Sequence, residues 1–214
     1  MKSILIPGTK LEIKYNNEID EKKNYTFISQ IEEYIDENNL IISAPIFKGE
    51  IVPLRLNKEY TLIIYGNKGL YECKIILKKR LKKENIEMVK IEIISSLIKI
   101  QRRDFFRLEC VIPVEFTVNN VLNKGIIKDI SGGGIKFISN IELNINDEIN
   151  FNFVLNNKKM SLLGIILTKE DSNVEKYKYQ YRVAFKDISE KDQECIVEFI
   201  FLEQRRIVRQ NKGL

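Results

Sequence analysis

The 214-residue chain contains no histidine. That absence excludes Ser-His-Asp and Cys-His catalysis, imidazole-ligated metals and an imidazole switch near neutral pH. Cysteine is scarce: Cys73, Cys110 and Cys195 stand far apart, with no Cys-x-x-Cys pair. Zinc ribbons and dithiol redox centres are thereby excluded, and buried structural thiols are expected at all three positions. With 10 glycines, 4 prolines and no low-complexity tract, wholesale disorder and fibrous folds do not fit. Long apolar runs are missing as well. Ile4-Leu5-Ile6 ahead of Pro7 is too short for a signal-peptide core or a membrane span. Together with the odd number of thiols, this makes a cytoplasmic protein without membrane insertion the expectation.

What is present is a chain able to bury a core, 44% hydrophobic and 30% charged. Lys and Arg number 35 against 30 Asp and Glu, a net charge of +5. The excess is mild and shared by both halves, unlike the dense patch of a duplex-DNA binder. Strand patterns dominate. Apolar residues alternate with polar ones at Leu11, Ile13 and Tyr15, at Val114, Phe116 and Val118, at Ile149, Phe151, Phe153 and Leu155, and from Tyr177 to Phe185. Period 2 gives each strand one dry and one wet face, as antiparallel sheets require. Asn16-Asn17, Asn38-Asn39, Gly66-Asn67, Asn119-Asn120 and Asn156-Asn157 mark turns between the runs. Many short strands at such spacing suggest barrels or sandwiches.

One segment departs from this pattern. Ser189 can cap a helix, with Asp192 in the capping-box position. Ile196, Phe199, Ile200 and Ile207 then recur at helical spacing, and Arg205, Arg206 and Arg209 suit the negative end of the helix dipole. A terminal amphipathic helix lying on a barrel is expected. A domain boundary is expected near 95–101, where Ser95-Ser96 follows a strand-like run.

Two constellations can carry chemistry. The first is Gln101-Arg102-Arg103-Asp104-Phe105-Phe106-Arg107. If the segment is extended, Arg103 and Arg107 point to one side and Arg102 to the other. A guanidinium offers a planar fork of donors that matches a phosphate or the O6/N7 edge of guanine. The competing reading is a solvated linker with surface ion pairs. The second is Asp129-Ile130-Ser131-Gly132-Gly133-Gly134 between two strand-like runs. The triple glycine allows positive φ and close approach of a ligand. Asp129 can accept from the N–H edge of guanine, and Ser131 can bond a phosphate or the neighbouring backbone. A plain glycine hairpin is the competing reading. Walker spacing and a Rossmann unit are both missing.

Taken together, Arg-x-x-x-Arg (Arg103, Arg107) and Asp-x-Ser-x-x-Gly (Asp129, Ser131, Gly134) resemble the PilZ domain, a six-stranded β barrel that binds the bacterial second messenger cyclic di-GMP. The lead-in Gln-Arg-Arg-x-Phe-Phe-Arg is similar to that of the YcgR type, the flagellar brake proteins. Upstream, Pro45, Gly49 and Ile51–Leu54 resemble the YcgR-type N-terminal barrel. Downstream, Tyr181-Arg182-Val183-Ala184-Phe185 and the terminal helix fit the PilZ pattern.

The resemblance implies a mainly β chain of two barrels in tandem: a YcgR-type barrel at 1–97, and a six-stranded PilZ barrel with a C-terminal α-helix at 98–214. It implies cyclic di-GMP as ligand, held by Arg102, Arg103 and Arg107, with Asp129 at a guanine edge, Ser131 at a phosphate or the loop backbone, and Gly134 permitting the turn. Neither a catalytic residue nor a metal or other cofactor is implied. The implied role is a switch that alters the domain arrangement and regulates motility or surface behaviour through a protein partner such as a flagellar stator or switch component. Two alternatives stand beside it. One is a barrel for single-stranded nucleic acid, suggested by the basic run Lys78–Lys83 and the Tyr and Phe content. The other is a nucleotide-independent protein–protein adaptor. The PilZ reading expects no nucleic acid.

Overall fold

The computed structural model describes residues 4–15 and 25–211, which leaves the Asn16-Asn17 turn signal outside the described residues. The chain divides into two compact units, Met1–Arg102 and Arg103–Leu214.

The first unit contains β1 (Lys10–Tyr15), β2 (Tyr25–Tyr34), β3 (Asn39–Ser43), β4 (Ile46–Phe47), β5 (Glu50–Ile51), β6 (Glu59–Gly66), β7 (Gly69–Lys83), β8 (Ile86–Ile93) and β9 (Ile98–Ile100). Six of them follow the order β1-β6-β7-β8-β3-β2, and a β1–β2 ladder closes the ring. Closure removes the free strand edges that an open sheet would present. The alternation read at Leu11 and Ile13 places both in the interior, where Ile31, Leu40, Ile42, Leu62, Ile75 and Ile91 join them. β9 pairs with β7 through Leu70↔Ile100 and Glu72↔Ile98. This pairing keeps 98–102 with the first compact unit, which ends at Arg102.

The Lys78–Lys83 run is the outer half of β7, paired with β8 and largely exposed. Lys78 Nζ lies 2.6 Å from Glu92 Oε2, and Arg80 Nη2 donates to the Leu54 carbonyl at 2.9 Å. Its charges are thus those of a solvated strand end.

The second unit contains β10 (Arg107–Val118), β11 (Val121–Ser131), β12 (Gly134–Ser139), β13 (Glu148–Leu155), β14 (Lys158–Asp171), β15 (Tyr179–Phe185) and α1 (Glu190–Asn211). The strands close in the order β10-β11-β12-β15-β14-β13. Asn119-Asn120 and Asn156-Asn157 each form a two-residue hairpin turn with both φ angles positive, at 51° and 63° and at 44° and 64°. Asparagine tolerates that region, and such turns match the twist of the strands they join.

The core is an aromatic cluster. Phe137 has ring centroids 5.4 Å from Phe116, 5.1 Å from Phe151 and 5.2 Å from Tyr181. Tyr181 belongs to the alternating run noted above and is fully buried; Tyr177 precedes the strand. The Tyr181 hydroxyl donates to the Ile141 carbonyl at 2.8 Å and accepts from the Leu143 N–H at 3.0 Å. Tyr181→Phe would orphan both backbone groups, so a loss of about 1–3 kcal/mol is expected. Urea unfolding should show it as a lower midpoint at unchanged slope.

Ser189 caps α1: its Oγ accepts from the Asp192 N–H at 3.1 Å and donates to Asp192 Oδ2 at 2.8 Å. Ile196 and Ile200 are buried against the barrel, with Phe199 packed beside them. Ile207, expected on the same face, is 39% exposed, and its neighbours from Arg205 to Gln210 in the last turns of the helix are exposed as well. Cys73 is buried, and burial pushes its thiol up to about 12. Cys110 and Cys195 are only half-buried, short of the full burial expected of them.

Candidate functional site

The arginine-rich lead-in is not an extended strand. It bends at Asp104-Phe105 and enters β10 at Arg107. The bend sets the Phe105 ring on the glycine turn between β11 and β12. A Cβ on Gly132 would lie 2.5 Å from Phe105 Cδ1, and one on Gly133 would lie 3.5 Å from Cδ2.

The turn is held from several sides. The Gly133 N–H donates to Ser131 Oγ at 3.4 Å, and that hydroxyl donates to the Gly134 carbonyl at 3.2 Å. The Phe185 N–H bonds the Gly133 carbonyl at 3.0 Å, and Gln193 Nε2 of α1 bonds the Gly132 carbonyl at 3.1 Å. Positive φ was the reason expected for the three glycines. None of them has a φ in that region; among the described residues the glycines with one are Gly8, Gly49 and Gly69. The requirement is steric instead: Phe105 occupies the space over Gly132, and a Cβ on Gly134 would meet the Val183 carbonyl oxygen at 2.0 Å. Ser131 is buried and its hydroxyl serves the turn, the second of the two roles expected for it.

Strand register builds the face next to this turn. Arg107 stands opposite Ser131, Glu109 opposite Asp129, Asp129 opposite Lys136, and Lys136 opposite Arg182. Residues directly opposite share a side of the sheet, and Ile130 and Ile135 on the other side fill the core. Arg107 and Asp129 therefore lie on the outer wall, on rungs of one ladder separated only by the inward-facing Leu108↔Ile130 rung. Asp129 sits within β11 rather than in the turn.

Arg103 and Arg107 are exposed and Asp129 half-buried. Among the described residues these three side chains make no hydrogen bond or ion pair. Glu109 and Asp129, like charges directly opposite, add repulsion that a cation or an N–H edge would relieve. Bulges at Glu109/Ile112 and Ile127/Asp129 open a cavity of about 350 Å³ lined by Glu109, Cys110, Val111, Lys128 and Lys136. Burial pushes the Cys110 thiol up to about 11, with the Asp129 charge adding to the shift.

Arg102 belongs to the first unit. Its Nη1 donates to Glu12 Oε2 at 3.0 Å and its Nη2 to the Tyr65 hydroxyl at 2.6 Å, with the guanidinium 5.4 Å from the Tyr65 ring centre. The Tyr65 hydroxyl donates in turn to Glu12 Oε1. Burial pushes the Glu12 carboxyl up, but the Tyr65 hydroxyl and the Arg102 guanidinium outweigh it and hold the group below the usual carboxylate range.

Of the six residues expected at the site, Arg107, Asp129, Ser131 and Gly134 share one region of the second barrel. Arg103 is tethered there through Phe105, and Arg102 is engaged elsewhere. Phe105, Gln193 and Lys136 were not anticipated. Phe105 occupies a variable position of the motif, and the place of Lys136 follows only from the β11–β12 register.

Two closed six-stranded barrels, the second with an arginine lead-in over a glycine turn, define a class of tandem-barrel protein. Residues 101–202 match the PilZ domain and residues 6–93 match the family described as flagellar protein YcgR. The chain belongs to the PilZ-domain proteins of the YcgR type.

Among solved structures it is similar to the Bacillus subtilis inhibitor of motility (MotI/DgrA). The TM-score is 0.78 at 18% identity, covering 94% of this chain and 98% of that one. It is also similar to Escherichia coli YcgR in complex with c-di-GMP, with a TM-score of 0.61 at 13% identity over 96% and 88% of the two chains. The K. pneumonia MrkH–c-di-GMP complex gives a TM-score of 0.53 at 18% identity over 95% and 90%. At these identities the likeness establishes the fold. No curated protein sequence gives a match. No helix among the described residues is long and apolar enough to cross a membrane.

Proposed function

We propose that the chain is a cytoplasmic cyclic di-GMP receptor that acts by binding rather than by catalysis. The observation that carries this reading is the outer wall of the second barrel. There the Arg107 fork and the Asp129 carboxylate stand on the same side of the β10–β11 ladder beside the Phe105-covered turn, and among the described residues neither has a hydrogen-bond or ion-pair partner. A second messenger with two phosphodiester charges and two guanines offers an acceptor edge to arginine and a donor edge to aspartate. The YcgR and MrkH structures with bound c-di-GMP support the same assignment. Arg103, Arg107 and Asp129 would contact the ligand, while Ser131 and Gly134 hold the turn beneath it. In this reading 98–214 carries the ligand-binding residues and 1–97 forms the YcgR-type barrel, on whose strand β7 the lead-in strand β9 pairs.

Arg102 enters differently. A ligand that recruits it must take it from Glu12 and Tyr65, which would couple binding to the arrangement of the domains. The neighbouring motility inhibitor and YcgR support an output on motility through a protein partner, with flagellar stator or switch components as candidates.

Isothermal titration tests the assignment. Cyclic di-GMP should bind at roughly micromolar Kd, about −8 kcal/mol. Cyclic di-AMP, whose adenines lack the paired N1–H and N2–H₂ donors that Asp129 would accept from, and GTP should bind far more weakly. Asp129→Ala should weaken cyclic di-GMP by about tenfold to a hundredfold. Equal affinity of wild type and variant, or no preference for guanine, would remove Asp129 from the site.

A further inference from the structure

The outer side of α1 is not explained by nucleotide binding. Val197 is 44% exposed, and Phe201 and Val208 are each 52% exposed. With the half-buried Gln204 they are spaced by four, three and four residues. That is the alternation of a coiled-coil seam, with a polar residue at one position that can fix register. The seam is distinct from the face of Ile196 and Ile200, which packs on the barrel.

Its charged border is ordered by sign. Glu194 and Glu198 flank the first half; Arg205 and Arg209 flank the second. Each pair sets like charges four residues apart, which weakens a lone helix. Among the described residues Glu194, Glu198 and Arg209 have no side-chain hydrogen bond or ion pair. Arg205 lies over the Phe201 ring at 4.5 Å, and Arg206 is the arginine occupied within the helix, by Glu203.

We propose that α1 pairs with α1 of a second copy of this chain, antiparallel, about an axis between Phe201 and Gln204. That superposition sets Val197 of one copy beside Val208 of the other, and Phe201 beside Gln204. The same register sets Glu198 against Arg205 and Glu194 against Arg209, twice over by symmetry. Both like-charge pairs thereby find opposite charge, and the exposed seam is covered. A two-fold axis requires such self-complementarity of one patch. A parallel arrangement would set acid beside acid and base beside base.

The seam is only a few turns long, so association at roughly ten to a hundred micromolar is expected. Sedimentation equilibrium of the full chain, from about 1 to about 200 μM, should show a monomer–dimer transition. A double variant Arg205→Glu with Arg209→Glu, and its converse Glu194→Arg with Glu198→Arg, should each remain monomeric across the range. All four positions are exposed, so folding is expected to survive, and circular dichroism checks it. An equimolar mixture of the two variants should dimerise again, because an acidic helix then meets a basic one. A wild type monomeric at the highest concentration would overturn the proposal. So would a dimer indifferent to both double variants, or a mixture that fails to associate.

Discussion

Gly134→Ala should destabilise the second barrel by about 3 kcal/mol or more. The added methyl would lie 2.0 Å from the Val183 carbonyl oxygen and 3.2 Å from the Ala184 Cα. These are backbone atoms of β15, the strand with which β12 pairs through Gly134↔Ala184 and Ile135↔Val183. No rotamer change can make room; the ladder itself must open.

Gly133→Ala is the control. Its Cβ would meet Phe105 carbons at 3.5 and 3.8 Å, ordinary contacts, and its φ is not in the left-handed region. A change within about 0.5 kcal/mol is expected there. Urea unfolding of the two variants separates a steric requirement from a conformational one. Comparable losses at both positions would mean that the turn needs glycine for its backbone angles after all.

That contrast shows what the sequence could and could not reveal. The strands were legible because alternation such as Ile149, Phe151, Phe153 and Leu155 has one physical cause, a wall dry on one side, and all four side chains are buried as expected. The Asn-Asn turns were legible because asparagine accepts positive φ locally. Cooperative, long-range features were not. β9 pairs with β7 across some 28 residues of chain, which no local pattern encodes, and this pairing holds Ile98–Ile100 in the first compact unit.

The site divides in the same way. Residue types marked Arg107, Asp129 and Gly134, because forks, carboxylates and missing side chains are properties of single residues. What each one does depends on register. Asp129 reads as a loop carboxylate until pairing with Glu109 and Lys136 places it on a strand, and Gly134 reads as a flexible turn until Val183 is found against it. Arg102 and Arg103 are adjacent in sequence yet fall in different units, since Arg102 is taken by Glu12 and Tyr65.

Replacing both Arg103 and Arg107 by alanine should abolish measurable cyclic di-GMP binding while leaving stability within about 0.5 kcal/mol of wild type. Neither side chain is buried or bonded to the protein among the described residues. Their removal therefore opens no cavity and orphans no partner. On the ligand side, each good bidentate guanidinium–guanine pair is worth about 1–3 kcal/mol. Losing two from a micromolar complex takes the Kd to roughly the millimolar range or beyond.

The single variant Arg107→Lys sharpens the point. Lysine keeps the charge but not the fork, so a site that uses only charge should lose little, and one that grips an edge should lose about tenfold. Isothermal titration gives the affinities, and thermal unfolding without ligand gives the stability. A double variant that binds as wild type would leave the outer wall of β10 and β11 without a ligand role. A double variant that unfolds would mean that the two arginines hold structure, which their lack of partners argues against.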